Sequence, residues 1–197
     1  QSLAGNIWPT GVHITNKKTV PKTVAVGKQV QMYGAVTPVR LKQSVKWSVG
    51  KALDTESKKH ATITSDGLVT FTSPGTVYIR ANPDNALYSA VTDTVEFKVV
   101  SREELPVTDF AIGGTLDIKE GETTQLTIEN VSPAGAYEGD VQWSCSDTSA
   151  AVITQDGTVT ALDAGQGLQL SKTVTITATI DGVSKTASLK INRNIIG

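Results

Sequence analysis

Residues 141–160 read Val-Gln-Trp-Ser-Cys-Ser-Asp-Thr-Ser-Ala-Ala-Val-Ile-Thr-Gln-Asp-Gly-Thr-Val-Thr, and this stretch decides the fold of the chain. A strand with a central tryptophan is followed in it by an Asp-Gly hairpin. The same order occurs earlier, where Val45-Lys46-Trp47-Ser48-Val49 precedes residues 61–70 with their Asp66-Gly67 pair. The chain therefore contains two copies of one structural unit.

Matching positions extend over most of both copies. The offset between them ranges from 90 (153 minus 63) to 97 (176 minus 79), so that insertions fall between strands while the strands persist. The matched positions are Gly27 with Gly121, Met32 with Leu126, Thr37-Pro38 with Ser132-Pro133, Trp47 with Trp143, Ile63 with Ile153, Val77-Ile79-Ala81 with Val174-Ile176-Ala178, and Val95-Phe97-Val99 with Ala187-Leu189-Ile191.

Each copy has the pattern of an antiparallel sandwich. Short apolar-polar alternations recur at roughly 8 to 12-residue spacing, with one inward tryptophan per copy. We predict an all-β chain of two tandem immunoglobulin-like antiparallel β-sandwiches, with a closed barrel as the alternative and almost no helix beyond one turn in an insertion. The expected divisions are a leader or the end of a preceding module at 1–9, domain 1 at 10–101, a short linker at 102–106 and domain 2 at 107–193.

The Asp-Gly pairs predict a specific hairpin geometry. A two-residue turn would place Ile153 and Val159 on opposite faces. A three-residue loop, Gln155-Asp156-Gly157, instead pairs these two side chains and directs both into the core. Ser65-Asp66-Gly67 repeats this logic in the first copy, so positive φ angles are expected at Gly67 and Gly157.

The tryptophans are predicted to be core anchors. Alternation places Trp47 and Trp143 on the same strand faces as their apolar neighbours, which point inward. Cys145 lies two residues after Trp143, in the place of Val49, and is expected to be a small buried hydrophobe. These residues are accounted for by folding.

Composition excludes several classes of partner. The 197 residues carry 18 Lys+Arg against 19 Asp+Glu, a net charge of -1, which does not favour nucleic acid or an anionic membrane. No apolar run is long enough to insert into a membrane. One cysteine cannot form an internal disulfide. Because the chain begins with Gln1, we expect neighbouring domains of a longer polypeptide.

No catalytic or cofactor site is predicted. His13 and His60 are far apart in sequence, and no serine or cysteine motif surrounds either. Phosphate-binding glycine loops, paired catalytic carboxylates and basic aromatic patches are missing from the sequence. The chain is therefore expected to be non-enzymatic, without a cofactor or a metal.

The sequence resembles the bacterial immunoglobulin-like domain, group 2, of the intimin and invasin type. The motif is present as Gly121, Ser132-Pro133, Trp143-Ser144, residues 153–161 and residues 174–178. The first copy departs from it at Phe71, where the family usually has alanine, and by a longer insertion before Ile63. The resemblance implies the sandwich fold. In some members it also implies calcium, for which Asp66 and Asp156 would be the ligands, although turn chemistry alone explains both aspartates.

For function, the resemblance implies a stiff spacer or adhesion segment of a bacterial extracellular or cell-surface protein. The alternatives are a phage virion (capsid or tail) decoration protein and a carbohydrate-binding accessory module of a secreted enzyme. The low aromatic content of 5% argues against the last of these. A protein or a cell-surface glycan is the expected class of partner. Any binding is expected in the insertions, which are loops 50–60, 82–92 and 163–172; neutral drift of loop sequences is the other explanation of these insertions. The candidate binding residues are Lys58, His60, Asn85, Tyr88 and Gln166.

Overall fold

The computed structural model describes residues 8–195. The chain divides into two compact units, Gln1–Leu105 and Pro106–Gly197, and the division lies inside the linker predicted at 102–106. Of the leader predicted at 1–9, only Trp8 and Pro9 are among the described residues. The two units are described separately below.

Within residues 8–105, the first unit contains nine strands and two short 3₁₀ turns. The strands are β1 (Gly11–Ile14), β2 (Thr23–Ala25), β3 (Gln29–Gln31), β4 (Gly34–Thr37), β5 (Val45–Val49), β6 (Ala61–Ile63), β7 (Leu68–Phe71), β8 (Gly75–Pro83) and β9 (Asp93–Val100). The 3₁₀ turns are Ser57–Lys59 and Ala86–Tyr88, and both lie in insertions, where one turn was expected.

The described part of the second unit, residues 106–195, contains nine strands in corresponding order. They are β10 (Asp109–Gly113), β11 (Asp117–Lys119), β12 (Thr123–Gln125), β13 (Thr127–Ser132), β14 (Gln142–Cys145), β15 (Ala151–Ile153), β16 (Thr158–Ala161), β17 (Ser171–Ile180) and β18 (Val183–Asn192).

Both units have the same sheet topology. A four-stranded sheet runs β2-β9-β8-β5 in the first unit and β11-β18-β17-β14 in the second. A three-stranded sheet runs β3-β7-β6 or β12-β16-β15, and a further pair is β1-β4 or β10-β13. All pairings are antiparallel except β2 with β9 and β11 with β18. The prediction of two tandem immunoglobulin-like sandwiches is confirmed, and the closed barrel is wrong because the sheets remain separate.

Alternation along the long strands builds each core. In β8 the buried side chains are Val77, Ile79, Ala81 and Pro83, while the intervening side chains face outward. The matching strand β17 buries Val174, Ile176, Ala178 and Ile180. Period-two patterning therefore gives each of these strands one core face and one more exposed face.

The two tryptophans differ in burial, which corrects one prediction. Trp143 is 5% exposed and belongs to the core of the second unit. Trp47 is only half-buried and packs at the margin of the first core. The interior of the first unit is filled by Phe71 and Phe97, whose ring centroids lie 5.0 Å apart. Cys145 is also half-buried rather than buried.

The hairpins have the three-residue loops. Ile153 lies opposite Val159, and the N–H of Thr154 donates to the carbonyl of Thr158. Gly157 has a φ of 84°, and a Cβ there would lie 2.7 Å from the carbonyl oxygen of Leu126. The first unit repeats this arrangement with Ile63 opposite Val69, and there Gly67 has a φ of 93° and would bring a Cβ 2.7 Å from the carbonyl oxygen of Met32. Only glycine fits this approach without displacing backbone.

A carboxylate fixes the first strand of the first unit. Asp93 accepts hydrogen bonds from the N–H of Ile14 at 2.8 Å and from Lys17 Nζ at 2.7 Å. Burial raises the pKa of Asp93, but these hydrogen bonds outweigh it, and the pKa lies below the usual value of 3.8. The charged form of Asp93 therefore stabilises the attachment of β1.

Truncation of the two tryptophans is expected to have unequal effects. Trp143→Ala should lower the free energy of unfolding of the second unit by about 3 to 5 kcal/mol, because it empties a filled core site. Trp47→Ala should cost the first unit less, since part of the indole already contacts solvent. Urea unfolding of the full chain, followed through amide resonances of each unit, measures both losses. Equal losses would contradict the difference in burial.

Two reasons for glycine in the hairpin, the lack of space for a Cβ and the positive φ angle, can be tested separately. Gly157 and Gly121 have the same φ of 84°, but a Cβ at Gly121 would meet no atom within 4 Å. Gly121→Ala should therefore cost about 1 kcal/mol for the left-handed backbone alone. Gly157→Ala should cost at least about twice as much, because the Leu126 carbonyl must move. Thermal unfolding of the two variants tests this, and similar losses would refute the steric contribution.

Asp93 predicts acid sensitivity of the first unit. Because its folded pKa is lowered, its contribution is fully present above the unfolded pKa and is lost as pH falls through the folded value. Asp93→Asn should lower the melting temperature of the first unit at pH 7 and flatten its decline below about pH 4. Asp84→Asn is the control, since the Asp84 carboxylate makes no hydrogen bond within the described residues. Parallel curves for Asp93→Asn and wild type would contradict the assignment.

Candidate functional site

Among the connections that differ between the two units is the one that joins the two long strands of the four-stranded sheet, β8 to β9 or β17 to β18. In the second unit, β17 and β18 are joined by Asp181-Gly182, whose φ angles are 50° and 79°. In the first unit, Ala81 pairs with Asp93, and the matching pair in the second unit is Ala178 with Lys185. Eleven residues lie between the first pair and six between the second. Residues 84–90, called the insert below, therefore stand where the second unit has two residues.

The insert is held by its own hydrogen bonds. Asn85 precedes the 3₁₀ turn, and its Oδ1 accepts from the N–H of Leu87 at 3.0 Å. At the base, Asn82 Nδ2 donates to the carbonyls of Ser89 at 2.9 Å and Val91 at 3.0 Å. The connection thus has a defined conformation that places Asn85 and Tyr88 beside the four-stranded sheet.

A polar groove of about 400 Å³ lies between the insert and the outer face of β5 and β8. Arg80 is fixed in it by a hydrogen bond from Nε to Ser48 Oγ at 3.1 Å. Side chains that donate and accept hydrogen bonds therefore converge on one concave surface. The lining residues are Lys46, Ser48, Arg80, Asn82, Pro83, Asp84, Asn85, Ala86 and Ser89.

An aromatic pair borders a second hollow of about 240 Å³, which shares Pro83, Asp84 and Asn85 with the groove. The ring centroids of Trp8 and Tyr88 lie 5.7 Å apart, and Trp8 is 53% exposed. The insert therefore separates a polar groove from an apolar edge. This combination provides both hydrogen-bonding groups and an aromatic contact surface.

The other candidates in the first unit lie at the opposite end of β8. Lys58 is exposed on the 3₁₀ turn Ser57–Lys59, and His60 Nδ1 lies 2.9 Å from Ser73 Oγ. The His60 ring lies so close to Gly75, the first residue of β8, that a Cβ there would clash with it. The insert follows the last residue of β8, about 25 Å away at strand rise. The structure does not combine these candidates into one site.

Loop 50–60 uses its polar groups internally. The carboxylate of Asp54 accepts from the N–H of Glu56 at 2.9 Å and from the Oγ of Ser57 at 2.5 Å. Hydrogen bonds from Ser57 lower the pKa of Asp54. The buried Ser57 hydroxyl in turn accepts from the N–H of Tyr78 at 3.0 Å. These hydrogen bonds hold loop 50–60 against β8.

Loop 163–172 belongs to the second unit and holds Gln166, which is exposed. The guanidinium group of Arg193 donates to the carbonyls of Gly165 and Gly167. Lys172 Nζ lies 2.5 Å from Asp147, and the hydrogen bonds from Lys172 and Ser149 lower the pKa of Asp147. These contacts fix the loop, and the side chain of Gln166 is exposed on it.

The hairpin aspartates act within their turns. The hydroxyls of Thr64 and Thr154 donate to the carboxylates of Asp66 and Asp156. The hydrogen bond from Thr154 lowers the pKa of Asp156, with a further contribution from the N–H of Thr158. Among residues 8–195, no group of three His, Cys, Asp or Glu side chains is placed to hold a metal. The described part of the chain also has no helix that is both long and apolar enough to span a membrane.

Sequence reasoning did not identify Lys46, Ser48 and Arg80 as site residues. All three alternate with core residues, so their pattern marks them only as facing outward. The insert itself leaves a signal, because the offset between the copies falls from 97 (178 minus 81) to 92 (187 minus 95) across it. That change shows that the first copy has five additional residues here. It does not show that these residues form a groove.

Comparison with known proteins gives weak structural similarity. No curated protein matches the sequence. The S-layer protein rSbsC(31-844) is 16% identical over 96% of this chain and 28% of its own, with a TM-score of 0.33. The protocadherin GammaB4 extracellular domain is 14% identical over 93% and 34%, with a TM-score of 0.36. Human protocadherin-24 EC1-2 is 11% identical over 96% and 100%, with a TM-score of 0.34. The chain thus spans about a third or less of the first two proteins.

A family model matches the second unit. The description of the family is bacterial Ig-like domain (group 2), and the match covers residues 106–191. It includes the Trp143-Ser144 strand and the Asp156-Gly157 hairpin, the two features that carried the resemblance seen in the sequence. The second unit of this chain is therefore similar, over nearly its whole length, to the family of bacterial Ig-like domains (group 2).

Proposed function

We propose that the chain is a non-enzymatic tandem module of a bacterial extracellular or cell-surface protein. In this proposal the first unit is a second member of the same domain family and binds a cell-surface glycan. The second unit acts as a spacer that presents the first. One observation carries the proposal: the same β-hairpin ends in a two-residue turn in one unit and in the groove-forming insert in the other.

The chemistry of the groove favours a glycan. Asn82, Asn85 and Ser48 offer neutral hydrogen-bonding groups, and Arg80 adds a cation that is fixed in place. Sugar hydroxyls match such groups, while a sugar ring packs on an exposed aromatic side chain. The chain has only ten aromatic residues, but Trp8 and Tyr88 are both placed at this edge. The low overall aromatic content therefore does not exclude a local platform.

The second unit has the features of a spacer. Its hairpin between β17 and β18 closes with Asp181-Gly182, and its loop 163–172 is tied down by Arg193. The carboxylate of Asp181 accepts from the N–H of Val107 at 2.8 Å and so fastens the start of the unit. These contacts support a mechanical role. No observation on the described residues favours the phage-virion alternative.

Replacing residues 84–90 by Asp-Gly tests the proposal, because it gives the first unit the connection of the second. A glycan array probed with the labelled full chain should show binding for wild type and at least a tenfold weaker signal for this variant. Leu168→Ala, at an exposed position in the second unit, is the control and should bind like wild type. Calorimetry verifies that the first unit of the variant remains folded.

Two results would contradict the proposal. Equal binding by the wild type and the insert-replaced variant would place recognition elsewhere. If the wild type binds no glycan on the array, the adhesion role fails and only the spacer role remains.

A further inference from the structure

The edge strand β5 has backbone groups that face away from its sheet. The carbonyl of Ser44 accepts from the N–H of Asp84 at 3.0 Å, and the N–H of Gly50 donates to the carbonyl of Tyr78 at 2.6 Å. Hydrogen-bonded pairs alternate along an antiparallel ladder, so Lys46 and Ser48 also bond to β8. The N–H and C=O of Trp47 therefore point outward, along the plane of the sheet.

The second unit closes the equivalent edge with a side chain. The N–H of Trp143, in edge strand β14, donates to Gln155 Oε1 at 3.1 Å. Gln155 Nε2 donates to the carbonyl of Trp143, also at 3.1 Å. The carboxamide thus takes the place of a peptide group in a neighbouring strand. An edge covered in this way cannot pair with another chain.

The first unit leaves this edge open. Ser65 occupies the position of Gln155 in the hairpin loop, and its hydroxyl is too short to reach across and offers only one polar atom. Within the described residues, no side chain bonds to the N–H or C=O of Trp47. A hollow of about 390 Å³ lies between the hairpin and β5 instead. Its lining includes Tyr33, Gln43, Trp47, Ser65, Asp66 and Asp84.

We propose that the open edge of β5 at Trp47 binds an extended peptide segment that carries an arginine or lysine side chain. The backbone of the segment pairs with the N–H and C=O of Trp47, as a strand added to the sheet. Asp66 and Asp84 are the charged residues of the hollow, and both are carboxylates. The cationic side chain lies between them and stacks on the indole or on Tyr33, which is 60% exposed.

The charges favour a foreign segment over a second copy of this chain. A second copy paired edge to edge would bring its own Asp66 and Asp84 to the same place. Like charges would then meet in the hollow, which disfavours self-association. The proposal can be tested separately from the glycan proposal, because Ser65 and Trp47 do not line the groove beside the insert, although Asp84 lines both places.

The test uses the full chain and three synthetic peptides with blocked ends. The probe is Thr-Val-Thr-Arg-Thr-Val-Thr. One control replaces arginine by glutamate, and the other has N-methylated peptide groups around the arginine. Titration is followed by the backbone and indole N–H resonances of Trp47. We expect saturable shifts with the arginine peptide, at least tenfold weaker binding of the glutamate peptide and no binding of the N-methylated peptide.

Two variants at one position connect the binding to the edge. Ser65→Gln supplies the carboxamide of the second unit and should weaken binding of the arginine peptide at least tenfold. It should also slow hydrogen exchange of the Trp47 amide, which verifies that the glutamine caps the strand in a folded unit. Ser65→Ala leaves the edge open and should bind like wild type.

Several outcomes would overturn the proposal. They are no binding of the arginine peptide at millimolar concentration, equal binding of any control peptide, or equal binding by Ser65→Gln with a protected Trp47 amide. A concentration-dependent dimer in sedimentation, abolished by Ser65→Gln, would assign the edge to a second copy of the chain and would also overturn it.

Discussion

Each unit depends on the close approach of its hairpin glycine to two segments. One is the strand that contains the tryptophan, and the other is the residue that directly follows β3 or β12. The carbonyl of Gly67 accepts from the N–H of Met32 at 2.8 Å, and that of Gly157 accepts from the N–H of Leu126 at 2.9 Å. A Cβ at Gly67 would come within 2.9 Å of the Trp47 indole nitrogen. The hairpin can therefore contact both segments only through a residue that has no side chain. The left-handed backbone at this residue also favours glycine.

The same hairpin decides whether the neighbouring sheet edge is open. Packing requires the glycine of the loop, and the hydrogen bonds of the turn favour the aspartate. The first loop residue faces the edge strand, and it differs between the two units. Gln155 satisfies the Trp143 backbone, whereas Ser65 leaves the Trp47 backbone exposed. One position thus changes the surface properties of a unit without changing its fold, because the edge strand lies outside the packed core.

The sequence was sufficient for the fold and the hairpin register, because alternation, repetition and turn chemistry are local properties of the chain. It was insufficient for the burial of Trp47. Alternation shows which face of a strand a side chain takes, but not how much of the core is filled by distant residues such as Phe71 and Phe97. The insert could be located by comparing the copies. Its groove could not, because Arg80 and Asn82 acquire their roles only from three-dimensional contacts.

A sandwich of this kind satisfies nearly all of its backbone hydrogen bonds internally. Binding is therefore expected at a strand edge with unpaired backbone groups or at a loop that carries an insertion. The first unit has both features, the open edge of β5 and the insert, and Asp84 lies beside each of them. The Asp84 N–H extends the ladder to Ser44, and its side chain lines the hollow at the β5 edge as well as the groove beside the insert. A cation bound at the edge would engage this carboxylate and withdraw it as a hydrogen-bond acceptor from the groove. Binding at the two proposed sites would therefore be coupled through the one carboxylate that lines both of them.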